Sequence, residues 1–284
     1  MQSPKEQTNN VTPITEAAKK PKPNAAFIAV LAILGLALIL IGGYFLTKVR
    51  SIAVYGNETY SADAIINLSG LYTGRNIFAY DLAAAKKGVN KDPYLYCEAV
   101  SRKYPSQLVI RVKERKEYAA ILLGGGSYCV IDESGWVLDI GRSEESVAGL
   151  LPIYGLGSMG FTVGTKIDAD AGRLRPYTVM RIIESVGSRV SSLKYVDISN
   201  SSSVKIVTSN GVTVMLGDSV NIPSKIERMF RALPKVDPLM AQRAIIYVNS
   251  TGSTDVSYPT PAPVVTPAPT EQATEDAEGG PSDG

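Results

Sequence analysis

Leu108-Val109-Ile110-Arg111-Val112-Lys113-Glu114 decides how the first folded part of this chain is built. Leu108, Ile110 and Val112 point one way while Arg111 and Lys113 point the other, the period-two pattern of a strand with one buried face. Just upstream, Leu95 to Arg102 reads as its neighbour, joined across Tyr104-Pro105-Ser106, a turn signal. Working back, Asp81 is placed to cap a helix from Leu82 to about Val89, with Lys86 and Lys87 near its end and Asp92-Pro93 as its stop. Ser61 is placed to cap an earlier helix through Leu68, with Asp63 in its first turn. Val49 to Tyr55 alternates as a further strand closed by Gly56-Asn57. Three strands backed by two helices follow, an α+β unit.

Beyond that unit the pattern turns to hairpins. Tyr118 to Leu123 and Tyr128 to Ile131 flank Gly124-Gly125-Gly126, and Asp132 to Gly135 makes a turn before a strand from Trp136 to Ile140. Leu174 to Val186 carries a broad apolar stripe and reads as a helix. Strands are expected at Tyr195 to Ile198, Val204 to Thr208 and Val212 to Leu216, the last two joined through Ser209-Asn210-Gly211. A helix from Ile222 to Leu233 stops at Pro234, and Ala244 to Asn249 closes the series as a final strand. This is a mixed, β-rich second domain. Many hairpins leave sheet edges, and an edge left open is a place for a partner strand.

Upstream of both domains, Ala25 to Leu46 runs for 22 residues without a charged side chain. As a helix it is about 33 Å long, enough for a hydrocarbon core of about 30 Å. The run exceeds the usual apolar core of a secretory signal, about 7–15 residues. The only small-x-small candidate downstream, Ser51-Ile52-Ala53, lies behind Lys48 and Arg50, so the segment is read as an uncleaved transmembrane anchor. Residues 1–24 hold Lys5, Lys19, Lys20 and Lys22 against Lys48 and Arg50 on the far side, which points the arm to the cytoplasm. The expected topology is single-pass type II with an extracytoplasmic body. The arm, polar and with four prolines, is expected to be disordered.

Residues 251–284 carry six prolines and six acidic residues with no basic one. Such a stretch lacks the apolar surface to offset its ordering entropy and is expected to be a solvated tail. Without it the chain has 29 basic and 21 acidic residues, a net of about +8. That balance suits an anionic lipid or wall polymer, and it equally suits solubility alone.

The chain has no histidine, which removes the commonest general base and metal ligand. Cys97 and Cys129 could pair in an oxidising compartment; for Cys97, in an apolar-rich strand, a buried free thiol is preferred. Gly155-Leu156-Gly157-Ser158-Met159-Gly160 matches a dinucleotide fingerprint in letters, but a β-branched, Gly-punctuated stretch follows where a helix is required. Ser191-Ser192-Leu193-Lys194 matches the SxxK of penicillin-binding enzymes without its companion elements and leads into a strand. Asp132 reads as a turn-capping side chain in preference to half of a catalytic pair with Glu133. Arg75 and Asn76 are read as pinning the loop between the two helices or contacting a partner. No residue is assigned to catalysis, a cofactor or a metal, and neither nucleic acid nor a small-molecule substrate is expected.

An ordered set of short motifs then carries a resemblance. Val54-Tyr55-Gly56-Asn57, Tyr60-Ser61, Ser69-Gly70-Leu71 and Gly74-Arg75-Asn76-Ile77-Phe78 come first. Asp92-Pro93-Tyr94, Val100-Ser101-Arg102, Tyr104-Pro105-Ser106 and Ile110-Arg111-Val112-Lys113-Glu114-Arg115 follow in order. The set resembles the POTRA domain of the FtsQ/DivIB family of bacterial division proteins. Val130 to Leu138 and Leu150-Leu151-Pro152-Ile153 resemble the start of that family's β domain. The resemblance implies a POTRA domain over residues 47–116 and a β domain over 117–250, behind a membrane helix at 25–46.

It also implies a non-enzymatic divisome scaffold, concentrated at the septum. Its partners would be coiled-coil proteins of the FtsL and FtsB/DivIC types and, through them, the septal transpeptidase and glycosyltransferase. A membrane-anchored wall enzyme is the competing class, disfavoured by the missing histidine and the isolated SxxK. A POTRA-type chaperone for exported proteins is a third, disfavoured by a single POTRA unit. In the resembling family the end of the β domain receives a partner strand. The residues expected to receive it here are Ala244, Ile245, Ile246, Tyr247, Val248 and Asn249, taken as the last strand and hence a sheet edge, with Tyr247 as anchor.

Overall fold

The computed structural model describes residues 24–168, 174–250 and 252–259. Apart from Asn24, the arm assigned to residues 1–24 lies outside the described residues. So does the tail assigned to 251–284, except for residues 252–259. The apolar run forms one helix, α1 (Ala25–Leu46), with no residue buried inside the protein. An all-apolar helix with no buried face is suited to lipid. The chain divides into two units, at Glu114 and Arg115, with α1 belonging to the first and Asp92–Tyr94 to the second.

The first unit contains β1 (Ser51–Tyr55), α2 (Ala62–Ser69), a 3-10 turn at Ile77–Ala79, α3 (Leu82–Val89), β2 (Leu95–Lys103) and β3 (Gln107–Glu114). Its sheet has the order β1-β3-β2, with β1 parallel and β2 antiparallel to β3. A parallel pair cannot be joined by a tight turn, so the two helices fill the crossover between β1 and the later strands. Both expected caps form. Ser61 Oγ accepts the N–H of Ala64 at 3.2 Å, and Asp81 Oδ1 accepts those of Ala83 and Ala84 at 2.9 and 3.1 Å. Leu108, Ile110 and Val112 are buried with Ile65, Ile77, Val89 and Leu95 in one core, while Arg111 and Lys113 are exposed.

Two close approaches fix the turn after β1. Gly56 has φ +88°, and a Cβ there would lie 2.0 Å from the Val112 carbonyl oxygen, so no side chain fits. Glu114, at the far end of β3, accepts the backbone N–H groups of Glu58, Thr59 and Tyr60 at 2.8 to 3.0 Å. Burial pushes that carboxyl up, but the three donors outweigh it and hold its pKa below the ordinary value.

The second unit has a nine-stranded sheet. Its strands are β4 (Ala119–Leu122), β5 (Tyr128–Ile131), β6 (Val137–Arg142), β7 (Leu151–Tyr154), β8 (Leu193–Asp197), β9 (Val204–Thr208), β10 (Thr213–Gly217), β11 (Ile245–Val248) and β12 (Thr254–Ser257). Their order is β12-β11-β10-β9-β8-β7-β4-β5-β6. Helices α4 (Leu174–Val186) and α5 (Ile222–Ala232) lie in the larger core with Ile121, Ile153, Val196, Ile206, Val214 and Ile246. Ala120, Tyr128, Val130 and Leu138 form a second cluster with Val147. Strands β4 and β5 are therefore buried on both faces at their centre, which explains why they read as apolar runs in place of alternation.

Most elements fall within a few residues of their sequence-based limits. Two strands were not expected. Strand β7 contains Pro152, which lacks a donor, and it is held between β4 and β8 by parallel pairing. Strand β12 lies inside the stretch assigned to a solvated tail, so the folded body continues to at least Ser257.

The register of β3 sets a direct test. Ile110→Asp puts a carboxylate at a fully buried position and should cost more than about 3 kcal/mol in denaturant unfolding, whereas Arg111→Ala should stay within about 0.5 kcal/mol. Equal unfolding midpoints for the two variants would refute that register.

Candidate partner-binding edge

The residues expected to receive a partner strand are brought together, but not at an edge. Ile245–Val248 form β11, paired in parallel with β10 on one side and antiparallel with β12 on the other. Both rows of main-chain groups are therefore in use, and Ala244 to Asn249 cannot themselves accept a strand while β12 is in place. The edge lies one strand further out. By sequence the edge falls on β11 because Thr254-Asp255-Val256-Ser257 has a single large apolar residue and reads, by composition, as part of the polar tail. Strand β11 itself behaves as a half-buried strand. Ile246 and Val248 are buried with Ala244 in the core, and Tyr247 is 42% exposed on the opposite face.

The hairpin register identifies which groups β12 leaves open. Asn249 N–H donates to the Ser253 carbonyl at 3.1 Å, which makes Asn249 and Ser253 a hydrogen-bonded pair. Antiparallel pairs alternate, so Tyr247–Asp255 and Ile245–Ser257 are also of that kind. Asp255 and Ser257 thus spend their main-chain groups on β11, and Thr254 and Val256 turn theirs outward. Among the described residues no strand pairs with that outer side. At the opposite edge of the sheet the first residue of β6 is covered: the N–H of Val137 donates to Thr165 O, and its carbonyl accepts from Gly164, both at 2.9 Å.

Helix α5 holds the hairpin from beneath. Arg228 Nη1 donates to the carbonyls of Asn249 and Ser253 at 2.8 and 3.3 Å, spanning the turn. Lys225, one helical turn earlier, is fully buried, and its ammonium donates to the Asp218 carbonyl at 2.8 Å and to Asp218 Oδ1 at 2.5 Å. The Asp218 carboxylate also accepts from Ser250 Oγ, at 3.1 and 3.2 Å, and from the Val220 N–H at 3.1 Å. The Asp218 carboxylate thereby ties the buried Lys225 of α5 to Ser250 at the end of β11. The Lys225 hydrogen bond, chiefly, holds the Asp218 pKa below its ordinary 3.8. The contribution of this pair is complete above that value and is lost as pH falls through the lowered one. At the other end of β12, the Tyr258 hydroxyl accepts the Asp237 N–H and Arg243 donates to the Pro259 carbonyl, each at 3.2 Å.

The remaining candidates are structural. Asp132 caps its turn through the N–H groups of Ser134 and Trp136, both at 2.8 Å, and pairs with Arg115 at 2.7 Å. Arg115 in turn lies 4.5 Å from the Trp136 ring. Asn76 pins its loop as expected, bonding Thr47 Oγ1 at 2.8 Å and the Phe78 N–H at 2.9 Å. No helix follows the Gly155–Gly160 stretch directly; a Cβ on Gly155 would meet Ser199 N at 2.2 Å, so that glycine serves close backbone packing. Lys194 is an exposed residue of β8, away from any helix start. Cys97 and Cys129 are both buried and unpaired, and burial pushes the Cys129 thiol up to about 12.

Comparison with known proteins places this geometry. The family model for the FtsQ-type POTRA domain matches residues 47–115, and that for the C-terminal part of the cell division protein FtsQ/DivIB matches residues 120–250. The cell division protein DivIB of Clostridium acetobutylicum is 30% identical over 213 residues, 74% of this chain and 80% of that protein. The chain belongs to the FtsQ/DivIB family. A further relative, FtsQ of Koribacter versatilis, is 27% identical over 90% of this chain and 77% of its own. DivIB of Clostridium tetani is 23% identical over 72% and 77%. The expected POTRA unit followed by a mixed β domain is thus the family's architecture. The match to the FtsQ/DivIB C-terminal model stops at residue 250, so β12 lies just past it.

The buried cation generates an asymmetric prediction. Asp218→Ala strands the Lys225 ammonium in the core, whereas Lys225→Met leaves a carboxylate whose side chain is 49% exposed. Asp218→Ala should lower the thermal midpoint more than Lys225→Met does, and the reverse order would contradict the assigned role of the pair.

Proposed function

We propose that this FtsQ/DivIB-family protein is a non-enzymatic scaffold of the division machinery. It is anchored by α1 with its two folded units outside the cytoplasm and is concentrated at the septum. It joins coiled-coil partners of the FtsL and FtsB/DivIC types to the septal wall synthase. The observation that carries this reading is the open outer side of β12 on a hairpin clamped at both ends. A partner strand added there gains main-chain hydrogen bonds to Thr254 and Val256, and alternate side chains supply selectivity. The clamps matter because a preformed edge costs less ordering on binding than a frayed one. Tyr247 lies one strand in from that edge, on the exposed face, and serves a partner that overlays the sheet as well as extending it.

This reading departs from β11 as the receiving strand and places addition on β12. Edge strands normally discourage pairing by being short or charged. Strand β12 is short, four residues, and carries Asp255, which suits a selective partner more than promiscuous association.

The test is capture of the full-length protein, in detergent, by an immobilised coiled-coil partner of the FtsB/DivIC type. Val256→Pro removes an outward donor without removing one from the β11 ladder, so the body should still unfold cooperatively while capture falls at least about tenfold. Tyr247→Ala should weaken capture less. Undiminished capture by Val256→Pro would reject strand addition at β12.

A further inference from the structure

Two exposed aromatic rings meet at the end of the first unit next to α1. Phe78 and Tyr104 are 61% and 63% exposed, and their ring centroids lie 5.7 Å apart. Phe78 belongs to the 3-10 turn Ile77–Ala79, and Tyr104 to the turn between β2 and β3. Both turns are fastened to the chain as it leaves the apolar helix. Ile77 N–H donates to the Thr47 carbonyl, and Arg50 N–H to the Ser106 carbonyl, each at 2.8 Å. Asn76 Nδ2 bonds Thr47 Oγ1, which itself donates to Gly43 O in the last turn of α1 at 2.9 Å. The aromatic pair is therefore held beside the helix end by hydrogen bonds.

Several cations lie around it. Arg50, Arg75 and Lys103 are exposed there, and the Lys48 ammonium lies 4.7 Å from the Phe45 ring centroid of α1. The strand register puts Ser51, Gln107 and Lys103 at this end of the sheet and Tyr55 and Glu114 at the other. The carboxylate of Glu114 is thus most of a strand away, about 20 Å at 3.3 Å per residue. Asp81, three residues past Phe78, is committed to capping α3. Exposed aromatics with cations next to the end of an apolar helix have the composition of a membrane–water boundary, where rings bury their faces and charges meet lipid phosphates.

We propose that Phe78 and Tyr104, flanked by Arg75 and Lys103, sit in the headgroup layer of the bilayer that α1 crosses. The occupant of this surface is phospholipid. The contact fixes the first unit against the membrane at a second point besides its covalent link. This proposal rests on reading α1 as a membrane span.

The experiment places tryptophan probes in the full-length protein, with its single tryptophan changed by Trp136→Phe. The protein is reconstituted into phosphatidylcholine–phosphatidylglycerol vesicles whose acyl chains carry bromine near the glycerol end. Phe78→Trp and, in a separate variant, Tyr104→Trp should lose emission to a degree comparable with Phe45→Trp in α1. Tyr96→Trp, near the opposite end of β2, should lose none. Circular dichroism melting of each variant checks that it remains folded, and the two independent probes cover a failure of either one. Quenching of Phe45→Trp without quenching of either aromatic probe would overturn the proposal and leave the pair for a protein neighbour. Absence of quenching at Phe45→Trp would overturn the span and the proposal with it.

Discussion

An open sheet cannot pair all of its own main chain, and that constraint governs the second unit. Nine strands in one sheet leave two outer rows of N–H and C=O groups that must be covered, hydrated or offered to another chain. One row, on β6, is met at Val137 by the loop around Gly164 and Thr165. The other, on β12, has no strand beside it among the described residues. The remainder of the C-terminal region reads as the means of keeping that second row in place. The core strands β10 and β11 supply the apolar base, and α5 supplies the polar pins.

Those pins show how a local sequence choice becomes a surface property. Lys225 and Arg228 are three apart on α5, so they lie on neighbouring parts of one helix face. Lys225 is buried and reaches Asp218, while Arg228 reaches the turn carbonyls of Asn249 and Ser253. A buried ammonium is tolerated only with its partners in position, which makes the arrangement specific more than strongly stabilising. Four residues of β12 bury too little to order themselves, and the hairpin persists because its flanks are tied to elements that are packed.

The sequence makes the first unit legible almost throughout because each signal there has a local cause. Ser61 and Asp81 announce their helices through caps, Gly56 its turn through a carbonyl that excludes any Cβ, and β3 its buried face through alternation. Legibility falls where structure depends on partners distant in the chain. Strand β7 is hidden by Pro152, which only parallel pairing on both sides makes acceptable as a strand. Strand β12 is hidden by its polarity, since what orders it is Arg228 and the ladder to β11 and not its own side chains. The same cause puts the sheet edge one strand beyond its expected place. Alternation marks Ile246 and Val248 as buried, but no local pattern says whether a later segment will return to cover them. Lys225 gives no signal at all in sequence, because an isolated lysine on an amphipathic helix reads as a solvated one.

Backbone amide exchange measured by nuclear magnetic resonance, with and without an FtsB/DivIC-type coiled-coil partner, tests the open edge most directly. Asp255 and Ser257, whose amides face β11, should be protected in the free protein. Thr254 and Val256 should exchange quickly alone and become protected when the partner is added. Protection of Thr254 and Val256 in the free protein, or no change in them on saturation with the partner, would contradict the edge at β12 as the place where a strand is received.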